Sequence, residues 1–328
     1  MRFLLDPISP HSPPSPVATH PILSAVVVHW RNEAEVDELL ASWPDDSRLE
    51  LLVVDNSCSL PAGAFDARPR VRLLQPDKNL GFGGGANCGI QAARGEWVLI
   101  LNPDIAPEDG AWDALLGACD TYSDAVGLAP ALLNPDGSSQ CRWQLQPLPS
   151  PAALILQTLF LGGQRGPRLE PPAGSPVEQP AAAALALRRA VLLELGGFDE
   201  RFFPAWFEDV DLAKRLAAAG HVLRYAPEAR FVHATGGSVP ALGYGPFLWI
   251  YYRNLEIYLE RHHSILWLWV TRLTLPVAMA ARLALLPIRQ PKRARSKKAA
   301  ALGLMGVLFG SLTRWKRPWL WAGRFTDV

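Results

Sequence analysis

The sequence has few cysteines, and their spacing does not match that of metal ligands or of disulfide partners. Cys58, Cys88, Cys119 and Cys141 lie about thirty residues apart, with no C-x-x-C pair among the 328 residues. This spacing argues against a structural zinc site and against a disulfide framework. It fits a protein of a reducing compartment.

Two further absences narrow the class of protein. The net charge is +1 at pH 7, so no overall field attracts nucleic acid or an acidic polymer. The N-terminus, MRFLLDPISPHSPPSPVATHP, has too short an apolar run and too much proline for a secretory signal. We therefore predict a cytoplasmic protein without a nucleic-acid partner, and a disordered, proline-rich leader over residues 1–20.

Strand-like and helix-like segments alternate from residue 22 to about residue 130. ILSAVVVHW, LELLVVDNS, VRLLQ and EWVLILNPD read as strands, whereas NEAEVDELLASW and GGANCGIQAARG read as helices. This alternation predicts an α/β fold with a mostly parallel sheet and helices on both faces. Ligands of such sheets bind at the carboxyl ends of the strands, where Asp55 and Asp104 fall.

The segments that follow are less regular. VGLAPALLNPDGSSQ reads as a strand, a turn and a second strand, and HVLRYAPEARFVHATGGS as another strand pair. Between them, residues 146–180 are rich in proline and glycine. We predict a long mobile loop there, lying over the site.

The glycine-rich segment NLGFGGGANCG, residues 79–89, permits two interpretations. Gly81, Gly83 and Ala86 satisfy G-x-G-x-x-[GA], and an acid, Asp104, follows at a suitable distance, as in a nucleotide-cofactor oxidoreductase. However, two strands with their own connections precede these glycines, whereas that fingerprint marks the first strand–helix turn of its unit. The glycines indicate either close approach of the backbone to a nucleotide or close helix–strand packing.

Several polar residues at strand ends have both a structural and a functional interpretation. Asp104, near the glycine-rich segment, is placed to bind Mg²⁺ or Mn²⁺ together with substrate phosphates, or to form a turn. His233 is a second ligand of that metal or a strand-end histidine with satisfied hydrogen bonds. Asp55 contacts a base or ribose, or forms an Asx-turn.

The segment FFPAWFEDVDLAKRL, residues 202–216, places three acids at the start of a predicted helix. Asp211 and Arg215 are four residues apart and can pair on the helix surface. Asp209 can accept backbone N–H bonds that hold its carboxylate ionised and oriented, as a general base for a sugar hydroxyl requires. Trp206 and Phe207 can stack on a sugar or pack in the core.

Taken together, these segments resemble glycosyltransferase family 2, whose members are inverting enzymes with a GT-A fold. The matching segments cover about residues 22 to 260 and occur in the same order as in the family. They are VVVHWRNE, LLVVDNS, NLGFGGGANCGI, WVLILNPDI, LGGFDERFFPAWFEDVDLAKRLAAAGH and VHATGGS. Together with YYRNLEIYLERHH, they are similar to the bacterial rhamnosyltransferase-like branch.

The resemblance implies a role for each matching residue. Asp209 is implied as the catalytic base, and Asp104 as the ligand of a divalent metal on the donor diphosphate, assisted by His233. The implied acceptor site includes Trp206, Glu208 and Arg253. The implied donor site comprises Asn32, Asp55, Asn79, Gly81, Gly83, Gly84, Asn87 and Asn102. The metal motif departs from acid-x-acid, because NPD carries one carboxylate.

The resemblance also implies a reaction. It is the transfer of a sugar, from dTDP-rhamnose or a UDP-sugar, to a hydroxyl of a glycan or lipid-linked saccharide in cell-envelope polysaccharide synthesis. The alternatives are the oxidoreductase above and a non-catalytic sugar-binding protein at the membrane.

The C-terminal region differs in character from the predicted catalytic domain, residues 21–262. Within residues 263–328, SILWLWVTRLTLPVAMAARLALLPI is interrupted by Arg272 and Arg282, and AAALGLMGVLFGSLT is shorter than the ~20 residues of a spanning helix. RQPKRARSKK is strongly basic. We predict helices attached peripherally to the anionic inner face of the cell membrane. The alternative is a helical cap on the catalytic domain or a contact within a homo-oligomer.

Overall fold

A computed structural model describes residues 20–159, 166–234, 242–291 and 293–315, so the predicted leader lies outside the described residues except for His20. The strands are β1 Leu23–His29, β2 Leu49–Asp55, β3 Val71–Leu74, β4 Trp97–Leu101, β5 Ile105–Pro107, β6 Gly127–Leu133, β7 Leu145–Gln146, β8 Pro176–Val177, β9 Gln179–Pro180, β10 Ala184–Arg188 and β11 Leu223–His233. The helices are α1 Glu33–Ser42, α2 Gly81–Ala92, α3 Ala111–Thr121, α4 Cys141–Gln144, α5 Pro151–Thr158, α6 Arg189–Glu194, α7 Glu208–Ala218, α8 Tyr244–His262, α9 Ile265–Leu285 and α10 Lys297–Leu312, with a 3₁₀ turn at Glu200–Phe202.

The central sheet is mostly parallel, as the strand pattern predicts. Its order is β3-β2-β1-β4-β10-β6-β11-β5, and β8 pairs with β11. Strands β1 to β4 run parallel, and β10 is antiparallel to both β4 and β6, so β6 and β11 run in the same direction as the first four. The carboxyl ends of these six strands therefore share one edge, which we call the carboxyl edge.

Burial on both faces explains the continuous apolar runs of the strands. Every residue of β2, β4 and β6 is buried. One face of the sheet packs against α1 and α3, and the other packs against α2 and α7. Each buried Leu, Ile or Val contributes about 1.5–3 kcal/mol of transfer free energy, which favours this layered arrangement.

Three segments differ from their predicted structures. HVLRYAPEARFVHATGGS forms one strand with a bulge between Ala226 and Arg230, because both halves pair with β6 instead of with each other; its residues 235–238 lie outside the described part. After the turn at residues 134–137, the expected second strand is reduced to one bridge between Leu133 and Ser139, and α4 follows. Residues 146–180 contain α5, β8 and β9 where a loop was expected.

The C-terminal helices α8, α9 and α10 share an apolar core with the segment that precedes α7. Phe202 and Phe207 belong to the same buried cluster as Leu255, Tyr258 and Leu275. The predicted helical content of this region is therefore confirmed. The boundary between residues 262 and 263 stays a prediction.

Candidate active site

The carboxyl edge brings Asp104 and His233 together. Strands β5 and β11 are antiparallel, and Ile105 lies opposite His233 in their register. The amide of Ala234 also donates to the Asp104 carbonyl at 3.1 Å. As a result, Nε2 of His233 lies 3.5 Å from Oδ1 of Asp104.

The side chain of Gln140 determines the tautomer of His233. Its Nε2 donates to the carbonyl of His233 at 3.0 Å and to Oδ1 of Asn134 at 2.9 Å, so its Oε1 is the atom that faces Nδ1 of the ring at 3.0 Å. In the neutral imidazole, Nδ1 then carries the proton, and the lone pair of Nε2 faces Asp104.

The pair therefore fits a divalent cation that completes its coordination with phosphate oxygens and water. It supplies one carboxylate and one imidazole whose second nitrogen is oriented by a hydrogen bond, as metal-binding histidines commonly are. Within the described ranges, no group of three or more His, Cys, Asp or Glu residues could hold a metal.

Asp209 lies in the first turn of α7, where the amide of Val210 donates to its Oδ1 at 2.8 Å. The backbone of Ala182 supplies a further hydrogen bond, and Nε2 of Gln179 lies 3.4 Å from Oδ2. Burial nevertheless outweighs these bonds and raises the pKa of Asp209 above its ordinary value. The predicted backbone bonds are present, but the carboxylate is more basic than expected, which suits a general base.

Residues 179–184 connect Asp209 to the segment that carries Asp104. Ala182 bonds to the Asp209 carboxylate, and the carbonyl of Ala183 accepts from the amide of Asn102 at 2.8 Å. Throughout the described chain, Asp209 forms no ion pair, and the carboxylate of Asp104 pairs only with His233. The two acids therefore lie on either side of one short segment, and neither pairs with an arginine or lysine among the described residues.

The carboxyl of Glu208 is enclosed. Its side chain is 7% exposed, and its Oε2 has no hydrogen-bond partner among the described residues. Burial, followed by the negative charge of Asp209, raises the pKa of Glu208 well above 4.5. We infer that Glu208 carries a proton where an exposed glutamate would be charged.

Replacing Glu208 with glutamine is expected to flatten the dependence of stability on pH. Because the folded-state pKa is raised, the free energy of unfolding includes a contribution that is complete below the unfolded pKa and is lost as the pH rises through the folded pKa. As the pH rises above 4.5, the ordinary value of a glutamate, the Tm of Glu208→Gln should therefore fall less than that of the wild type. A variant of an exposed acid, Glu194→Gln, should follow the wild-type curve. Equal slopes for wild type and Glu208→Gln would contradict the buried, protonated state.

Asp211 has a structural role. Its carboxylate accepts from Nε of Arg215 at 2.8 Å, which confirms the predicted pair, and it also lies 2.7 Å from Nε2 of His262 and 3.2 Å from Nε of Arg261. The side chain is fully buried. Asp211 therefore anchors α7 to α8 and is not available for chemistry.

The predicted acceptor residues Trp206 and Arg253 contact the protein itself. Trp206 packs edge-on against Phe247, with ring centroids 4.9 Å apart, and Phe207 packs against Tyr251 at 5.1 Å. Nη1 of Arg253 donates to the carbonyl of Phe203 at 3.2 Å. The packing interpretation of the aromatic residues is thus observed, and the acceptor contacts of Trp206, Glu208 and Arg253 stay predictions.

Close packing explains the glycine-rich segment. Gly81 has a φ of +70°, and a Cβ there would lie 2.8 Å from the Pro204 carbonyl; at Gly89 it would lie 2.2 Å from Val26. Oδ1 of Asn79 accepts from the amide of Gly81 at 2.8 Å. The helix–strand interpretation is therefore sufficient, and the nucleotide contacts of Asn79, Gly81, Gly83 and Gly84 stay predictions.

The other predicted donor residues form hydrogen bonds within the protein itself. The fully buried Asp55 carboxylate accepts from Ser57 and Leu60; burial opposes its charge, but these bonds outweigh burial and lower the pKa of Asp55. Oδ1 of Asn32 lies 2.7 Å from Nδ1 of His29. Both amide atoms of Asn87 bond to the backbone of residue 198. Donor contacts of Asn32, Asp55, Asn87 and Asn102 stay predictions.

Four residues that bond to the site residues or to their loops were not predicted as site residues: His29, Gln140, Gln179 and Asn254. His29 could have been found, because it ends β1 at the carboxyl edge. The two glutamines follow no pattern in the sequence that marks them. Asn254 lies in the matching segment YYRNLEIYLERHH, but no role was assigned to it.

Comparison with known proteins identifies the family. The sequence matches "Glycosyl transferase family 2" over residues 24–176. It is 31% identical over 312 residues to the N-acetylglucosaminyl-diphospho-decaprenol L-rhamnosyltransferase of Mycobacterium tuberculosis, covering 84% of this chain and 96% of that protein. It is also 29% identical over 236 residues to the pre-mycofactocin glycosyltransferase of the same organism, covering 71% of this chain and 47% of that protein.

A solved structure agrees in fold. GalNAc-T7, crystallised with UDP, GalNAc and Mn²⁺, superposes with a TM-score of 0.51 and 16% identity, covering 74% of this chain and 48% of that chain. The GT-A-like α/β architecture is thereby confirmed, and the family match excludes the oxidoreductase interpretation of the glycine-rich segment. The chain belongs to glycosyltransferase family 2 and is a glycosyltransferase of the rhamnosyltransferase-like kind.

Proposed function

We propose that the chain is an inverting rhamnosyltransferase that moves rhamnose from dTDP-rhamnose to a hydroxyl of a lipid-linked saccharide in cell-envelope polysaccharide synthesis. The observation that supports the transfer chemistry is the segment 179–184, which bonds both to Asp209 and to the strand end that carries Asp104. The choice of sugar and acceptor is supported by the relative that is matched over 96% of its length, whose name states both.

At the donor end, Asp104 and His233 would hold the divalent metal, with Gln140 orienting the imidazole. A bound Mg²⁺ or Mn²⁺ neutralises charge on the departing nucleoside diphosphate. The single carboxylate of the NPD motif leaves the remaining positions of the ion to phosphate oxygens and water. Both dTDP- and UDP-sugars present this diphosphate, so the turnover assay compares the two classes of donor.

At the acceptor end, Asp209 removes the proton from the attacking hydroxyl. The acceptor oxygen forms a bond to the anomeric carbon from the face opposite the diphosphate, while the bond from that carbon to the diphosphate oxygen breaks. The proton ends on the Asp209 carboxylate, and the electron pair leaves with the nucleoside diphosphate. Attack from the opposite face inverts the anomeric configuration.

A turnover assay tests this function directly. The full chain with Mn²⁺ is incubated with dTDP-rhamnose or UDP-sugars and a short-chain polyprenyl-diphosphate N-acetylglucosamine acceptor, and the product is identified by mass and by NMR. We expect a rhamnosylated product with inverted anomeric configuration from dTDP-rhamnose alone. Transfer from a UDP-sugar only would overturn the donor assignment, and a retained configuration would overturn the direct displacement.

We also propose that the enzyme attaches peripherally to the inner face of the cell membrane through α9. This helix is long and apolar enough to cross a membrane by length and composition, but its two arginines point inward. Nε of Arg272 pairs with Glu256 at 2.8 Å, and Nη1 of Arg282 donates to the Tyr252 hydroxyl at 2.6 Å. One side of α9 is therefore committed to α8, which favours a helix that lies in the membrane surface.

The opposite side of α9 is an exposed apolar stripe, which consists of Ile265, Leu266, Trp269, Leu273, Val277, Leu285 and, just beyond the helix, Ile288. The basic residues Arg289, Arg293, Arg295, Lys297 and Lys298 follow it directly and are exposed. An apolar face that continues into a cluster of cations matches the surface of an anionic phospholipid bilayer.

Replacing Leu273 and Val277 with aspartate is expected to lower the partition of the protein onto anionic vesicles by about tenfold or more, because each buried aliphatic side chain contributes about 1.5–3 kcal/mol. Flotation with phosphatidylglycerol-containing vesicles measures the effect. Leu169→Asp, an equally exposed leucine outside the C-terminal helices, is the matched control and should float like the wild type. Equal flotation of all three proteins, or a drop in oligomer mass in the stripe variant alone, would dismiss the membrane role.

A further inference from the structure

Asn254 of α8 contacts three backbone carbonyls of the loop that leads into α7. Its side chain is fully buried, and its Nδ2 lies within hydrogen-bond distance of the carbonyls of Phe202, Ala205 and Trp206, at 3.1, 2.9 and 2.9 Å. These carbonyls belong to an irregular segment, and a buried carbonyl without a donor is costly. The amide of Asn254 meets this need from outside the segment.

Arg253 completes the arrangement. Its Nη1 donates to Oδ1 of Asn254 at 2.8 Å and to the carbonyls of Arg201 and Phe203 at 3.2 Å each. In the part of the chain that the structure describes, the guanidinium forms no ion pair with a carboxylate. Its observed partners are therefore the same loop, residues 201–206, and the asparagine beside it.

The loop needs such support because its end is strained. Trp206 and Phe207 have φ angles of +75° and +76°, and neither is a glycine. The left-handed conformation costs about 1–2 kcal/mol for each such residue and persists only where the surroundings determine it. Phe207 is the N-cap of α7, so these two residues set the direction in which the first turn leaves, with Asp209 in it.

We propose that Arg253 and Asn254 are positioning residues of the transfer reaction, which hold the 201–206 loop and thereby fix the carboxylate of Asp209. The inference rests on the proposed role of Asp209 as the base. It assigns Arg253 and Asn254 a function in catalysis that needs no contact with the acceptor. It also makes α8 part of the catalytic unit, although the helix lies beyond the residues matched by the family model.

Asn254→Asp tests the proposal, because aspartate has the same shape but presents oxygen to three carbonyl oxygens. We expect kcat for transfer to fall about 10²-fold, as for a misplacement of about 1 Å, with the donor KM unchanged. Hydrogen exchange of amides in residues 201–209 should accelerate. If the loop acts through Asp209, adding Asn254→Asp to Asp209→Asn should not lower the residual rate further.

Leu286→Ala is the control, since Leu286 directly follows α9, is buried and packs in a separate cluster with Ala294 and Ala300. It should lower Tm and leave both kcat and exchange in residues 201–209 near wild type. If Asn254→Asp does not fold, Arg253→Leu, at a partly exposed position, gives the second test, with an expected loss of about tenfold in kcat. Wild-type kcat in the soluble variant, or an equal loss of kcat in Leu286→Ala, would overturn the proposal. Retained transfer in Asp209→Asn would instead overturn the role of Asp209 as the base. Faster exchange of residues 201–209 in Asn254→Asp would still show that Asn254 supports the loop.

Discussion

Asp209→Asn is expected to abolish sugar transfer and to leave donor binding nearly intact. Asparagine keeps the shape of the side chain and can still accept from the Val210 amide, but it cannot take the proton of the acceptor hydroxyl. General base catalysis contributes about 10²–10⁴-fold, so kcat should fall by that factor. Initial rates with donor and acceptor, alongside calorimetric titration of the donor, measure the two effects separately.

Glu194→Gln is the control for this substitution, because Glu194 is an exposed acid at the end of α6. It should keep the wild-type kcat. A rate for Asp209→Asn within tenfold of the wild type would rule the residue out as the base.

The role of Asp209 as the base also predicts how kcat/KM depends on pH. Because Asp209 must be ionised to act and burial raises its pKa above the ordinary value of 3.8, kcat/KM should fall with decreasing pH in a range above that value. This acid limb should be absent from the residual rate of Asp209→Asn.

Asp104→Ala is expected to weaken donor binding about tenfold or more in the presence of Mn²⁺, because the variant loses the one carboxylate of the proposed metal site. The remaining ligand, His233, keeps its bond to Gln140 but cannot hold a hard cation alone. Donor Kd values with Mn²⁺ and with a chelator measure the effect. In the wild type the chelator should weaken binding, and in the variant it should change little.

Glu108→Ala is the matched control, since Glu108 follows β5 a few residues later, is exposed and pairs with Arg230. The donor Kd of Glu108→Ala should change between Mn²⁺ and chelator as that of the wild type does. Identical donor affinity of Asp104→Ala and wild type, with and without the chelator, would remove Asp104 from the metal site.

The fold could be predicted from the sequence where the apolar pattern alone decides the structure. The run SAVVVH is buried on both faces whatever its neighbours, so β1 was predictable, and the same holds for β2 and β4. Strand β11 was predicted as two strands, because its central Pro227 resembles a turn; its pairing with β6 on both sides of a bulge comes from the tertiary structure. The helix α5 is capped by Ser150 within a proline-rich stretch that composition marks as loop.

The candidate site likewise contains residues that the sequence indicated and residues that only the structure revealed. Motifs pointed to Asp104, Asp209 and His233, because each follows or precedes a regular element at the expected edge. No local pattern marks Gln140 or Gln179, since their function comes from the atoms they meet and not from their neighbours in the chain. The glycine-rich segment was ambiguous for this reason too: a sequence does not show whether the backbone approaches a ligand or, as here, Val26 and Pro204.

By itself, the sequence of this protein determined the order of strands and helices from β1 to β4 and the family, and it pointed to Asp104 and Asp209 as candidates, because these depend on side-chain chemistry and periodicity along the chain. Only the tertiary structure decided the tautomer of His233, the raised pKa of Asp209 and the support of its loop by Asn254. Each of these depends on the position and burial of atoms from distant segments, and hydrogen-bond direction and desolvation act through space and not along the sequence.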